Sequence, residues 1–511
     1  MALTDFTFGP FTLDLLGRRL LRDGVPLPVA ASGLRIIEAL LEANGGVVTK
    51  EYLIERGWPG TIVEEGNLTV QIAKLRSTLE TGDDRGEWIV TIPRVGYRLR
   101  RHDHSALATT LAPPARPSIA VLPFVNLIGG DAPDFHADGL VDDLITGLSR
   151  FRTFAVVSRN SAFVYKGRAV DARQAAAELG VRYLLEGSVR RAGNRMRITA
   201  QLIEGATGIH LWAEKFEGEA ADIFDFQDRI TASVIGLIEP QIQRIEIERA
   251  QQKRPDSFDA WDLYVQSVPL VHSPNVGDYD RAIDLLDRAI ALDPTYCPAL
   301  TMASFAHERR KTFGGTVPAG VDDAATALAL AQRAVSADPN DALALAVLGW
   351  QRMLFRGEHD AGLELCERAV ALNPYNRTVL DLAAVAHLFG GDLDTLIAYA
   401  MRAMTLSPGA PDNYGCITHV ASAHLSARRF QESLVWAQRS IDLEPGYVYS
   451  YLFLAVANAH LGRVEDGLHA LETALTIRPD LPLFHANPAN RFPDRRQIMI
   501  DGYRLLGLKP P

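Results

Sequence analysis

The sequence predicts a multidomain chain: a small α+β domain, then an α/β middle domain, then an all-α repeat array. Three observations predict it. Residues 1–105 mix short strand-like runs with three helical stretches and end in two strand-like segments. TTLAPPARPS (109–118) has the Pro, Ala and small polar composition of a linker and no periodicity. From residue 255 onward, prolines follow predicted helix ends at a spacing of about 34 residues. The expected boundaries are 1–105, a linker at 106–117, 118–250 and 255–511.

The 511 residues fit several domains, and 47% hydrophobic with 22% charged residues is the balance of a folded protein. The net charge of −10 excludes a protein coated in basic surface, but it leaves room for one small basic module. MALTDFTFGPFTLD lacks the basic start and apolar core of a signal peptide. No apolar run reaches about 18 residues, so no membrane span is expected. The three cysteines (Cys297, Cys366 and Cys416) are too few and too scattered for a disulfide framework or a zinc site. Together these features point to the cytoplasm.

In the first domain, FTFGPFTLDLLGRRLLRDGVPLPV reads as short strands with a turn at RDG. RIIEALLEANGG carries Ile36, Ile37, Leu40 and Leu41 on one helical face and stops at Asn44-Gly45-Gly46. Thr49 is placed to cap KEYLIERGW. In GNLTVQIAKLRSTLE, a period of 3.6 puts Leu68, Ile72, Leu75 and Leu79 on one stripe. The opposite arc holds Gly66, Asn67, Val70, Ala73, Lys74 and Ser77, with Thr69 and Arg76 at its flank. Such an arc of small, amide, methyl-bearing and basic side chains suits a DNA groove. An amide can bond an adenine edge, a methyl can touch thymine, and a lysine can reach guanine or phosphate. EWIVTIP and GYRLRR form a hairpin turning near 94–96, with Arg94, Arg98, Arg100 and Arg101 concentrating positive charge there.

VVTKEYLIERGWPG, VEEGNLTVQIAKLRSTLE and IVTIPRVGYRLR, in that order, resemble the OmpR/PhoB-type winged helix-turn-helix DNA-binding domain over about residues 3–101. The resemblance implies a recognition helix at 66–80 and a wing at 88–101. It also implies DNA contacts from Trp58, Asn67, Thr69, Val70, Lys74, Arg76, Thr91, Arg94 and Tyr97. Trp58 and Thr91 would touch the backbone, Arg94 the minor groove or its phosphates. Tyr97 could equally be a packing residue that closes the wing. Gly66 and Ala73 stand where relatives often carry basic residues, and Pro93 where some carry the wing arginine. The double-stranded DNA partner would be held by two copies on repeated half-sites. The chain reads as beginning with this domain, with no phosphoacceptor domain ahead of it.

In the middle domain, SIAVLPFVNL and TFAVVSR are strand patterns. Residues 134–151 and 172–180 are helical, and 181–218 reads as strands joined by tight turns, giving an α/β layer. IAVLPF, FHADGL, YLLEGSVR and LWAEKFEG resemble the TolB-amino-terminal-like domain, which accompanies tetratricopeptide repeats in some bacterial adenylate cyclases. No cyclase domain is visible here. Asp138, Asp142 and Asp143 beside His136 could bind metal, but they fit a solvated helix face with dipole-favoured acids better. His210, before Trp212 on a strand, reads as a structural histidine. No GxxxxGK, HExxH or GxSxG motif occurs. No enzyme activity and no cofactor are expected, although an enzyme with its site in this domain is the remotest alternative.

In the last region the prolines are Pro294, Pro339, Pro374, Pro408, Pro445 and Pro479. Five residues before each stands Ala289, Ala334, Ala369, Ala403, Ser440 or Ala474, small enough for two helices to approach closely. YDRAIDLLDRAIALDP and GLELCERAVALNP resemble the second helix of a tetratricopeptide repeat. LGW (348–350) and HLGR (460–463) resemble the end of the first. Stacked pairs build a superhelix with a concave surface, which implies a protein partner there. The whole then reads as a transcriptional regulator in signal transduction. The alternative is an interaction scaffold with a degenerate DNA-binding domain.

Overall fold

The computed structural model describes the chain outside residues 1–5, 9–10, 15–16, 18, 23, 44–47, 60, 62, 64, 80–87, 93–95, 100–115, 128–134, 169, 193–194, 220–222, 255–256, 482, 484–489 and 510–511. It forms two compact units, Met1–Ala112 and Pro113–Pro511.

The first unit opens with four antiparallel strands, β1 (Phe6–Phe8), β2 (Phe11–Asp14), β3 (Arg19–Arg22) and β4 (Val25–Leu27), paired in chain order. Three helices follow: α1 (Ala31–Glu42), α2 (Lys50–Gly57) and α3 (Glu65–Leu79). The Thr49 hydroxyl accepts from the Tyr52 N–H at 3.3 Å, the cap that the sequence suggests. β5 (Val48–Thr49), β6 (Ile89–Ile92) and β7 (Gly96–Leu99) make a second sheet in the order β5-β7-β6. Phe11, Leu20, Ile36, Leu40, Leu53, Leu68 and Trp88 share one core, with the Phe11 and Trp88 rings edge to face at 5.2 Å.

The second unit begins with a mixed sheet. Its strands are β8 (Ser118–Val121), β9 (Val125–Asn126), β10 (Ala155–Val156), β11 (Tyr183–Ala192), β12 (Arg195–Glu204) and β13 (His210–Glu219). The order is β10-β8-β11-β12-β13, with β9 also on β11. β8 is buried along its whole length and parallel to both neighbours, which is why Ile119, Ala120 and Val121 follow one another without a polar break. The helices on this sheet are α4 (Phe135–Leu148), α5 (Arg159–Ala162), α6 (Ala172–Leu179) and α7 (Ile223–Gln252). Ile119 and Val121 pack with α4 and α7, whereas Ala120 and Leu184 pack with Ala175 and Ala176 of α6. Helices therefore cover both faces. The segment 153–159 contributes only the two-residue β10, shorter than its strand pattern suggests.

Helical pairs follow: α8 (Ala260–Val271) with α9 (Gly277–Leu292), α10 (Cys297–Phe313) with α11 (Asp323–Ala337), and α12 (Ala342–Arg356) with α13 (His359–Leu372). Next come α14 (Arg377–Gly390) with α15 (Leu393–Leu406), α16 (Asn413–Ser426) with α17 (Phe430–Leu443), and α18 (Val448–His460) with α19 (Val464–Ile477). A last helix, α20 (Pro493–Leu505), packs on α18 and α16. The second helix of each pair stops two residues before its proline. Ala289, Ala334, Ala369, Ala403, Ser440 and Ala474 are all fully buried. The architecture is an all-helical repeat solenoid of the tetratricopeptide kind.

α7 joins the sheet to the solenoid, packing against α4, β13, α8 and α15. At Gly236 an added Cβ would lie 2.3 Å from the Leu406 carbonyl oxygen, and that carbonyl's neighbour Ser407 donates to the Gly236 oxygen at 3.0 Å. Glu246 on α7 accepts from Arg182, from the Tyr183 hydroxyl at 2.5 Å and from the Trp261 indole at 3.4 Å. Asn373 donates to the Arg150 carbonyl, and Arg150 returns a bond to the Leu372 carbonyl at 2.9 Å. The contacts thus merge the α/β layer and the repeats into one body.

Candidate nucleic-acid interface

α3 carries two opposed faces. Leu68, Ile72, Leu75 and Leu79 are all at most 1% exposed and fix the helix to the core. Gly66, Asn67, Thr69, Val70, Ala73, Lys74 and Ser77 are exposed on the other side. Val70, 56% exposed between Asn67 and Lys74, adds an apolar side chain to that face. The stripe runs along about three helical turns, and a helix of this width fits the major groove.

The helix is held in place by contacts that the sequence does not advertise. Arg76 donates from Nε to the Ile89 carbonyl at 2.8 Å and from Nη2 to the Thr91 hydroxyl at 2.7 Å. The guanidinium thus ties the end of α3 to β6. Sequence reasoning placed Arg76 and Thr91 separately against DNA, whereas the structure binds them to each other. No spacing pattern announces such a pair, because its members lie on elements 15 residues apart. Arg35 donates to the Gly57 carbonyl from Nε at 3.1 Å and from Nη2 at 2.8 Å, satisfying the end of α2. Trp58, next in sequence, is half-buried against the core.

Tyr97 pairs with Val48 on one side and Thr91 on the other, and is 5% exposed. Its burial suits the packing role that closes the sheet. Gly96, just before it, has no room for a side chain: an added Cβ would lie 1.9 Å from the Val48 carbonyl oxygen. Arg94, Arg100 and Arg101 lie outside the described residues. Arg98 is half-buried.

Residues 24–99 match the family model of the transcriptional regulatory protein C-terminal domain. The first unit carries an OmpR/PhoB-type regulator domain. Beyond that domain, residues 115–233 match the second domain of HilA/YgeH-like transcriptional regulators. The transcriptional regulator HilA of Salmonella typhimurium is 22% identical over 79% of this chain and 70% of its own length. The putative adenylate cyclase 3 of Rhizobium meliloti is 39% identical over 48% of this chain, and the match spans only 42% of that relative. Among solved structures, the Cut9-Hcn1 assembly of the APC/C aligns over 56% of this chain and 48% of its own, with 14% identity and a TM-score of 0.38.

Outside the OmpR/PhoB-type domain, two of the three acids singled out in the middle region are engaged in ion pairs. Asp138 pairs with Lys166 at 2.6 Å and Asp142 with Arg159. Burial raises the Asp143 carboxyl above the usual range, and Asp228 and Asp142 add to the effect. The His136 side chain lies outside the described residues. His210 is exposed at the start of β13, so the structural role expected of it is corrected: it is a surface side chain. No group of three or more metal-ligating side chains is assembled among the described residues. No described helix is long and apolar enough to cross a membrane.

Proposed function

We propose that this protein is a sequence-specific DNA-binding transcriptional regulator whose repeat array senses or recruits a partner. The observation that carries the reading is the exposed Asn67–Val70–Lys74 arc of α3, presented by a domain of OmpR/PhoB type. Asn67, Thr69, Val70 and Lys74 read base edges, and Trp58 and Thr91 approach the backbone. Arg94 grips the minor groove or its phosphates. Arg76 acts mainly through its grip on β6, holding recognition helix and wing at a fixed angle.

One domain makes on the order of 4–6 phosphate contacts, so affinity falls steeply with salt. It buries on the order of 600–1,000 Å² of protein surface, so two copies on adjacent half-sites are needed for tight control. The protein works in the cytoplasm and catalyses no reaction. Ion pairing of Asp138 with Lys166 and of Asp142 with Arg159 weighs only against a metal site or proton relay built on those two carboxylates. The test is a gel shift of the 1–112 unit and of the full chain on genomic fragments. Salt-sensitive, sequence-selective retardation is expected. Its absence on every fragment would leave the scaffold reading standing.

A further inference from the structure

The repeats of the second unit curl until distant pairs meet. Tyr449 at the start of α18 donates to the Thr312 carbonyl at the end of α10 at 3.1 Å. Arg478 donates to the same oxygen at 2.9 Å. The Phe313 ring lies 5.4 Å from that of Tyr449 and 5.9 Å from that of Tyr447. From the far end, Arg495 on α20 donates to the Leu388 carbonyl at 2.6 Å and to the Gly391 carbonyl at 2.9 Å. These contacts span more than 100 residues each. They turn the concave side of the solenoid into a cavity of about 520 Å³. That volume is typical of small-molecule sites.

The wall is aromatic, with Phe305, Phe313, Trp350, Phe389, Tyr414 and Tyr447 facing the cavity. Its carboxylates are engaged. Asp412 pairs with Arg377 at 2.8 Å and with His272 at 3.3 Å, and Asp381 with His419 at 2.9 Å. Glu308 is buried, accepts from Thr312 at 2.8 Å, and has its carboxyl raised by burial. Arg309 is different. Its guanidinium lies over Phe305 at 4.7 Å and Phe313 at 5.2 Å, yet among the described residues it has neither a hydrogen-bond acceptor nor an ion-pair partner. The Tyr447 hydroxyl beside it has no hydrogen-bond partner among them either. A half-buried fork of N–H donors stacked on aromatic rings is placed to take a carboxylate in bidentate fashion.

We propose that the interior of the repeat array binds a small aromatic carboxylic acid, with its carboxylate on Arg309 and the Tyr447 hydroxyl and its ring among Phe305, Phe313 and Trp350. This deepens the sensing reading of the array by naming what is sensed, and its test reads binding alone, so its failure and that of DNA recognition are separable. The experiment is calorimetric titration of the full chain with phenylacetate and indole-3-acetate, their uncharged amides, and tryptamine. At least one acid is expected to bind one-to-one, about tenfold or more tighter than its amide, and to raise the melting temperature. In Arg309→Gln the acid should lose that advantage while the amide keeps its affinity. Arg309→Lys should retain part of it. The acid–amide comparison in the unaltered protein stands even if a variant misfolds. Equal binding of acid and amide, preference for tryptamine, or no heat from any of the five compounds would overturn the proposal.

Discussion

Side chains on α3 divide into readers and holders. Asn67 and Lys74 are exposed and are the proposed readers of base edges, so Asn67→Ala and Lys74→Ala should each cost about 1–3 kcal/mol of discrimination between a cognate site and random DNA. Competition gel shifts measure that difference directly. Arg76 is a holder, bonded to the Ile89 carbonyl and the Thr91 hydroxyl. Arg76→Ala should therefore lower affinity for all sequences alike and destabilise the first unit by about 1–3 kcal/mol, measured by urea unfolding of the 1–112 unit. An unchanged unfolding midpoint with selectively lost base preference would return Arg76 to the readers. The exposed face of α3 was legible in the sequence, because a helix that buries Leu68, Ile72, Leu75 and Leu79 has only one other face to offer. The holder role was not, since it depends on how closely β6 passes the last turn of α3, which no periodicity encodes.

At the scale of elements, the packing partners of helices and strands set the sensitive positions. Gly96→Ala would force β7 away from β5, where its Cβ has 1.9 Å to the Val48 oxygen. Loss of DNA binding is expected while helix content by circular dichroism stays near that of the unaltered domain. In the second unit, α7 brings Glu239 close to Arg377 and Asp412. Burial pushes the Glu239 carboxyl up to about 7, Arg377 opposes the rise and Asp412 adds to it. A raised folded-state value means that the native protein holds a proton the unfolded chain has already released. Stability from this group is complete below the unfolded value near 4.5 and is lost as the pH rises through about 7. Glu239→Gln should accordingly melt with the unaltered protein at pH 5 and above it at pH 8. The repeat helices were legible because Pro294 and its five successors each end one. The docking of α7 on α15 was not, because Gly236 reads in the sequence as an ordinary helical glycine.

At the scale of the whole molecule, the chain combines a reading unit with a larger body that merges a mixed sheet and a helical solenoid. The sequence suggested a long concave surface for a protein partner. Curvature accumulated over successive helix pairs also brings Tyr449 and Arg478 back to Thr312, an outcome of small rotations that no single repeat reveals. The middle region matches HilA/YgeH-like regulators, so its likeness lies with proteins that control transcription. The central claim is that the Asn67–Val70–Lys74 arc reads DNA. The most direct measurement is selection of random duplexes by the full chain, followed by binding of the selected sequence across a salt series. The account predicts a defined motif, a steep fall of affinity with salt, and loss of the motif's advantage in the Asn67→Ala, Lys74→Ala double variant. Enrichment of no motif, or a motif bound equally well by the double variant, would contradict it.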